Sequence, residues 1–181
     1  SGGTYEVHIA EGANGNGCTD SLIAVIQEPQ ELELSISNDT TICLTGEADL
    51  VASTSGGSGI PVLHWDHGLP DINPQAVSPN ASTTYTVHAT DANNCISDSG
   101  DVTVTVLPPL HLSLTDTVTT CPKVDVELAP DTVFGGDGQY TYDWGTGPST
   151  YPPDTVNLFG TTTFCMTLHD GCETPPVTQC V

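Results

Sequence analysis

Positive charge is almost missing from this sequence. Lys123 is the one cationic side chain against 23 acidic ones in 181 residues, for a formal charge of −22. Such a chain repels nucleic acid phosphates and anionic lipid headgroups, which argues against both as partners. No run is long and apolar enough to span a bilayer, so no membrane insertion is expected. Long helix-forming stretches are missing as well. There is no initiator Met and no signal peptide, so Ser1 reads as an internal residue of a longer precursor, or as the product of processing. No Ser-centred nucleophile elbow, phosphate loop or zincin helix is present, and the chain reads as a non-enzyme. No Cys-x-x-Cys pair supports zinc, and no EF-hand pattern supports a strong calcium loop.

What remains is rich in Thr, Val, Ser, Gly, Pro and Asp. Thr and Val suit pleated strands, and Gly, Pro, Asn and Asp suit turns. The acids are scattered rather than blocked, as on the solvated face of a folded β-protein. Seven cysteines in such a chain point to an oxidising, extracellular compartment.

The chain repeats itself. Trp65 and Trp144 lie 79 apart, Cys43 and Cys121 lie 78 apart, and Cys95 and Cys172 lie 77 apart. Gly56-Gly57-Ser58-Gly59 matches Gly135-Gly136-Asp137-Gly138 at 79. The segment 83–95 matches 162–172 and also 3–18, with Tyr5 and Tyr85 80 apart. Proline-bearing joints follow at Glu28-Pro29-Gln30 and Leu107-Pro108-Pro109. These matches predict the last strands of one unit over 1–29, a complete unit over 30–108 and a nearly complete one over 109–181. In the middle unit strands are expected at 31–37, 47–53, 60–66, 71–77, 83–90 and 100–107, with alternation clearest in "LELSI" and "VTVTV". Six or seven short strands in about 80 residues predict an all-β chain of tandem immunoglobulin-like sandwiches, with Trp65 in the core and Tyr85 as a tyrosine corner.

In order, Cys43-Leu44-Thr45-Gly46, Ser55 to Gly59, Trp65, Thr83 to Val87 and Asp91 to Cys95 resemble the PKD-like, gliding-adhesin-type repeats of Bacteroidota cell-surface proteins. The resemblance covers nearly the whole chain, with Asn94 where the family usually has Gly. It implies a non-catalytic stalk or adhesin region of a large protein of the bacterial cell surface, commonly exported by type IX secretion. Its partners would be neighbouring repeats of the same chain, with the surface or glycan ligand left open. Two other functions compete with it: a subunit of an extracellular filament assembled by strand addition, and a spacer module of a secreted hydrolase. Asp-Ser/Thr sequences that look like the O-glycosylation site of that lineage fall at Ser21, Thr40, Thr117, Thr132 and Thr155.

Spacing alone leaves the disulfides open. Pairing within units gives Cys43–Cys95 and Cys121–Cys172. If the first and last hairpins lie at opposite poles, Cys43–Cys172 becomes a staple between units instead. Cys165 and Cys180 fall on neighbouring final strands and predict a cross-strand bond. The partner of Cys18 is expected upstream of this window. Among possible sites, Asp91, Asn93 and Asn94 form an oxygen-rich turn that could take calcium, the better of two metal candidates. His64, Asp66 and His88 could share an outer sheet face and make a His/His/Asp metal site, against the plainer reading of scattered surface histidines. Tyr140, Tyr142 and Tyr151 are the candidates for exposed, ligand-touching aromatics.

Overall fold

The computed structural model describes residues 2–10, 19–115, 119–121, 123–145, 147, 154–157, 159–172 and 175–181. Every regular element among them is a strand. Backbone contacts gather into two compact units. One comprises Ser1–Ser35, Ala52–Asp71 and Val87–Gly100, and the other Ile36–Val51, Ile72–Thr86 and Asp101–Val181.

β1 (Gly3–Ala10) and β2 (Thr19–Ile26) form an antiparallel hairpin with no third strand among the described residues. Then follow β3 (Glu33–Ile36), β4 (Thr40–Ile42), β5 (Ala48–Leu50), β6 (Ala52–Ser55), β7 (Val62–Trp65), β8 (Gln75–Val77), β9 (Thr83–Thr90) and β10 (Gly100–Val106). β3 pairs with β6 and β5 with β8, while the four-stranded sheet runs β4-β10-β9-β7. β5 and β6 are separated by Val51 alone. Its N–H donates to Ser37 Oγ at 3.2 Å and its carbonyl accepts the Ser37 N–H at 2.8 Å. The chain therefore leaves one sheet after β3 and joins the other as β4, parallel to β10. Asp39 holds this crossing, its Oδ1 accepting the Thr103 N–H at 2.8 Å.

Alternation decides which face is sealed. Tyr85, Val87 and Ala89 of β9 and Val102 and Val104 of β10 are buried, as are Trp65 of β7, Leu50 of β5, Ala52 of β6 and Val77 of β8. The four-stranded sheet and the two-stranded β3-β6 and β5-β8 ladders, with alternate residues buried, make an immunoglobulin-like β-sandwich. β4 was not expected from the sequence, because three residues, Thr-Thr-Ile, carry too little pattern to be read as a strand.

The pattern recurs in β11 (His111–Ser113), β12 (Asp125–Leu128), β13 (Thr132–Phe134), β14 (Thr141–Asp143), β15 (Asp154–Asn157), β16 (Cys165–His169) and β17 (Val177–Cys180). The registers match. Val62↔Thr90, Leu63↔Ala89 and His64↔His88 correspond to Thr141↔His169, Tyr142↔Leu168 and Asp143↔Thr167, all displaced by 79 on both strands. Leu50↔Gln75 corresponds to Leu128↔Asp154, displaced by 78 on one strand and 79 on the other. Leu112, Leu114, Met166 and Leu168 form the buried cluster here, with Tyr142 and Trp144 packed against it.

Candidate functional site

The strongest local construction is a loop locked onto a hairpin by one carboxylate. Gly57 N–H donates to the Gln30 carbonyl at 3.0 Å, which turns the Gly-rich loop toward Asp91. Asp91 Oδ2 accepts the Ser58 N–H at 2.8 Å, and Oδ1 accepts the N–H groups of Asn93 at 2.9 Å and Cys95 at 2.8 Å. Gly57 has φ +66, and a Cβ there would stand 3.3 Å from Asp91 Oδ2. Only glycine meets both conditions without strain. The device is copied 79 residues on: Gly136 N–H donates to the Pro108 carbonyl at 2.9 Å, and Asp170 accepts the Asp137 N–H at 3.3 Å. At Gly136 an added Cβ would collide with the Asp170 carboxylate.

Asp91, Asn93 and Asn94 lie in the turn expected to take calcium. The Asp91 carboxylate is directed at three backbone N–H groups. Asn93 and Asn94 are exposed, and among the described residues no three His, Cys, Asp or Glu side chains gather as metal ligands do.

The Asp91 carboxyl is held below its usual 3.8, chiefly by the Cys95 N–H, with Ser58 and Asn93 adding to it and burial acting the other way. A lowered folded-state pKa means the charged form favours folding. The stabilisation is complete above pH 3.8 and is lost as the pH falls through the lower, folded-state value. The amide proton shifts of Ser58, Asn93 and Cys95 are therefore expected to titrate together in NMR spectra, with a midpoint below 3.8. A midpoint at or above 3.8 would contradict the assignment. Asp91→Asn should abolish that titration and lower the melting temperature.

The cysteines are bonded Cys43–Cys172 and Cys165–Cys180, while Cys95 and Cys121 are exposed and unbonded. Pairing within units, Cys43–Cys95 and Cys121–Cys172, is thereby corrected. Strand register gives the reason. Ile42, next to Cys43, pairs with Val106 at the C-terminal end of β10, whereas Cys95 precedes the N-terminal end of that strand. Seven residues of strand span roughly 20 Å, far beyond the reach of a disulfide. Cys43 and Cys172 have Cα atoms 5.6 Å apart and close 129 residues. A loop of that size contributes about 5 kcal/mol in the chain-entropy treatment. Cys165 lies directly opposite Cys180 on β16 and β17, exposed, while the neighbouring Met166 and Leu168 are fully buried on the other face. Cys18 lies outside the described residues.

The imidazoles of His64 and His88 face each other across β7 and β9, ring centroids 5.1 Å apart. His64 meets Asp71 at 3.3 Å, and Asp66 instead meets His67 at 2.8 Å. The expected His64/Asp66/His88 grouping is thus divided, because His67 adopts φ +53 and turns back beside its neighbour. The aromatic expectation is corrected too: Tyr140 and Tyr142 pack against the Leu112 cluster, and Tyr140 Oη donates to the Gly135 carbonyl at 2.8 Å. Burial raises the Tyr142 phenol, with Tyr140 adding to it. Tyr151 lies outside the described residues. Of the Asp-Ser/Thr positions, Ser21, Thr132 and Thr155 are exposed, Thr40 is half-buried in β4, and Thr117 lies outside the described residues.

An open cleft of about 270 Å³ lies beside Cys121, lined by Val126, Leu128, Phe164 and Val181 among others. Its lining is mainly aliphatic, aromatic and threonine.

No family model and no curated protein matches the chain. Among solved structures, the D00-D0 domain of intimin aligns at TM-score 0.45 and 15% identity, covering 83% of this chain and 98% of that one. Drosophila OTK extracellular domains 3-5 align at TM-score 0.34 and 12% identity, covering 99% and 69%.

Proposed function

We propose that the chain is a run of immunoglobulin-like repeats, over 1–29, 30–108 and 109–181, that serves as a non-catalytic stalk or adhesin segment outside a bacterial cell. The observation that carries this reading is the constant 79-residue displacement of paired strands, β7 with β9 and β14 with β16. One sandwich copied in series is a device for length and stiffness, as in other repeat proteins whose units contact their neighbours. Two disulfides suit an oxidising exterior. The net charge of −22 discourages self-association. The resemblance to PKD-like, gliding-adhesin-type repeats supports the bacterial surface and type IX export. Exposed Ser21, Thr132 and Thr155 are the positions offered for O-glycans. Antibody raised against the 181-residue chain is expected to label intact cells; labelling only after lysis would refute the surface location.

One observation favours a second reading, a filament subunit joined by strand addition. Tyr5, Val7 and Leu22 of the β1–β2 hairpin are 48%, 54% and 68% exposed, whereas their counterparts Tyr85, Val87 and Val102 are buried. The face that is sealed in β9–β10 is open in β1–β2, and open strand edges invite another strand. If strand addition operates, sedimentation will show oligomers that grow with concentration and vanish in Val7→Asp. A monomer at all concentrations leaves the stalk reading alone.

A further inference from the structure

We propose that Cys121 and Cys95 are the two complementary halves of the same staple that Cys43 and Cys172 complete, and that each bonds to the adjoining repeat in series. This rests on the tandem reading above and adds a rule of connection to it. The bonded pair joins two kinds of position. Cys43 lies in the turn after β4, five residues before β5, and Cys172 lies in the last hairpin, five residues before β17. Cys121, four residues before β12, is the first kind, and Cys95, five residues before β10, is the second. Neither is bonded, and both are exposed. In the completed staple the first-turn cysteine belongs to the earlier repeat and the last-hairpin cysteine to the later one. By that rule Cys121 takes the last-hairpin cysteine of a repeat that follows, and Cys95 takes the first-turn cysteine of a repeat that precedes. Cys121 with Cys95 of the same chain would reverse the order, first-turn position late and last-hairpin position early.

Beside Cys121 the apolar cleft lined by Val126, Leu128, Phe164 and Val181 gives an incoming hairpin apolar surface to cover. The Asp91 contacts already fix the turn that carries Cys95, since Cys95 both donates its N–H to that carboxylate and accepts the Asp91 N–H at 3.0 Å. The Cys95 thiol is therefore presented on a built turn, and the Cys121 thiol beside the cleft. Bond formation removes two protons and two electrons from the two thiols, and a small-molecule or protein disulfide accepts them and is reduced to two thiols.

The test is the full 181-residue chain followed directly by a second copy of residues 30–108, oxidised with glutathione disulfide and mapped by non-reducing peptide mass spectrometry. In most molecules Cys121 is expected to be linked to the added copy's counterpart of Cys95. The original Cys95 should remain free or carry glutathione. Cys121→Ser should leave the added cysteine open to alkylation with Cys43–Cys172 still formed. A free or glutathione-capped Cys121 alongside an intact Cys43–Cys172 bond would overturn the proposal and leave the stalk reading standing. Absence of the Cys43–Cys172 bond itself would overturn both.

Discussion

Pulled from its two ends in an optical trap with its disulfides intact, the chain will lengthen far less than 181 residues allow. Tension entering at the N-terminus reaches Cys43 and passes through the sulfur bridge to Cys172, so the intervening chain stays slack even after its strands unfold. Full reduction puts those 129 residues in series with the load. At about 3.3–3.6 Å per extended residue, the released length should grow by roughly 430–460 Å. Equal lengths with and without reductant would rule out the bond in solution. Should the result hold, the staple has a mechanical consequence for a stalk. On the tandem reading proposed above, load entering at Cys43 leaves at Cys172 across a covalent bond, and the 129 residues between them are spared extension. Its equilibrium contribution of about 5 kcal/mol is of the same order as the whole stability of a small domain.

The second large effect lies in the paired tryptophans. Trp65→Ala should cost roughly 3–5 kcal/mol, since Trp65 is 7% exposed and follows His64 on a strand paired to β9. Trp144→Ala should cost less, about 1.5–3 kcal/mol, because Trp144 is half-buried at the edge of the Leu112 cluster. Denaturant titration of the two variants, followed by far-ultraviolet circular dichroism, reads both values. If Trp144→Ala proved the costlier, or if either were neutral, the two tryptophans would not be filling matched core positions and the repeat argument would fail.

Several features were legible because they are local and periodic. Strands expected at 83–90 and 100–107 are found at Thr83–Thr90 and Gly100–Val106, where β-branched residues alternate over seven or eight positions. The Gly-Gly loops were visible as a match at 79, but their purpose was not. That Gly57 makes room for Asp91 depends on a carboxylate 34 residues away in sequence. The Asp-Ala-Asn-Asn turn suggests oxygen ligands by composition, and only the hydrogen bonds show that the carboxylate binds backbone N–H groups. Tyr140 and Tyr142 looked available because Gly-rich surroundings suggest a surface loop. In the fold Tyr142 lies on β14 and Tyr140 just before it, both packed against the cluster of Leu112 and Met166.

Composition, period and alternation settled that this chain makes strands, that it makes them twice over in the same register, and that it is an acidic, cysteine-bearing protein. Those properties reside in neighbouring residues and in the copying of a segment, so they survive in one dimension. Which cysteines join was decided by the tertiary structure alone, through the parallel entry of β4 beside β10. Three residues of strand turn Cys43 away from Cys95 and toward Cys172, 129 residues along. No local preference can encode that choice, because it depends on which end of a sheet a short segment reaches.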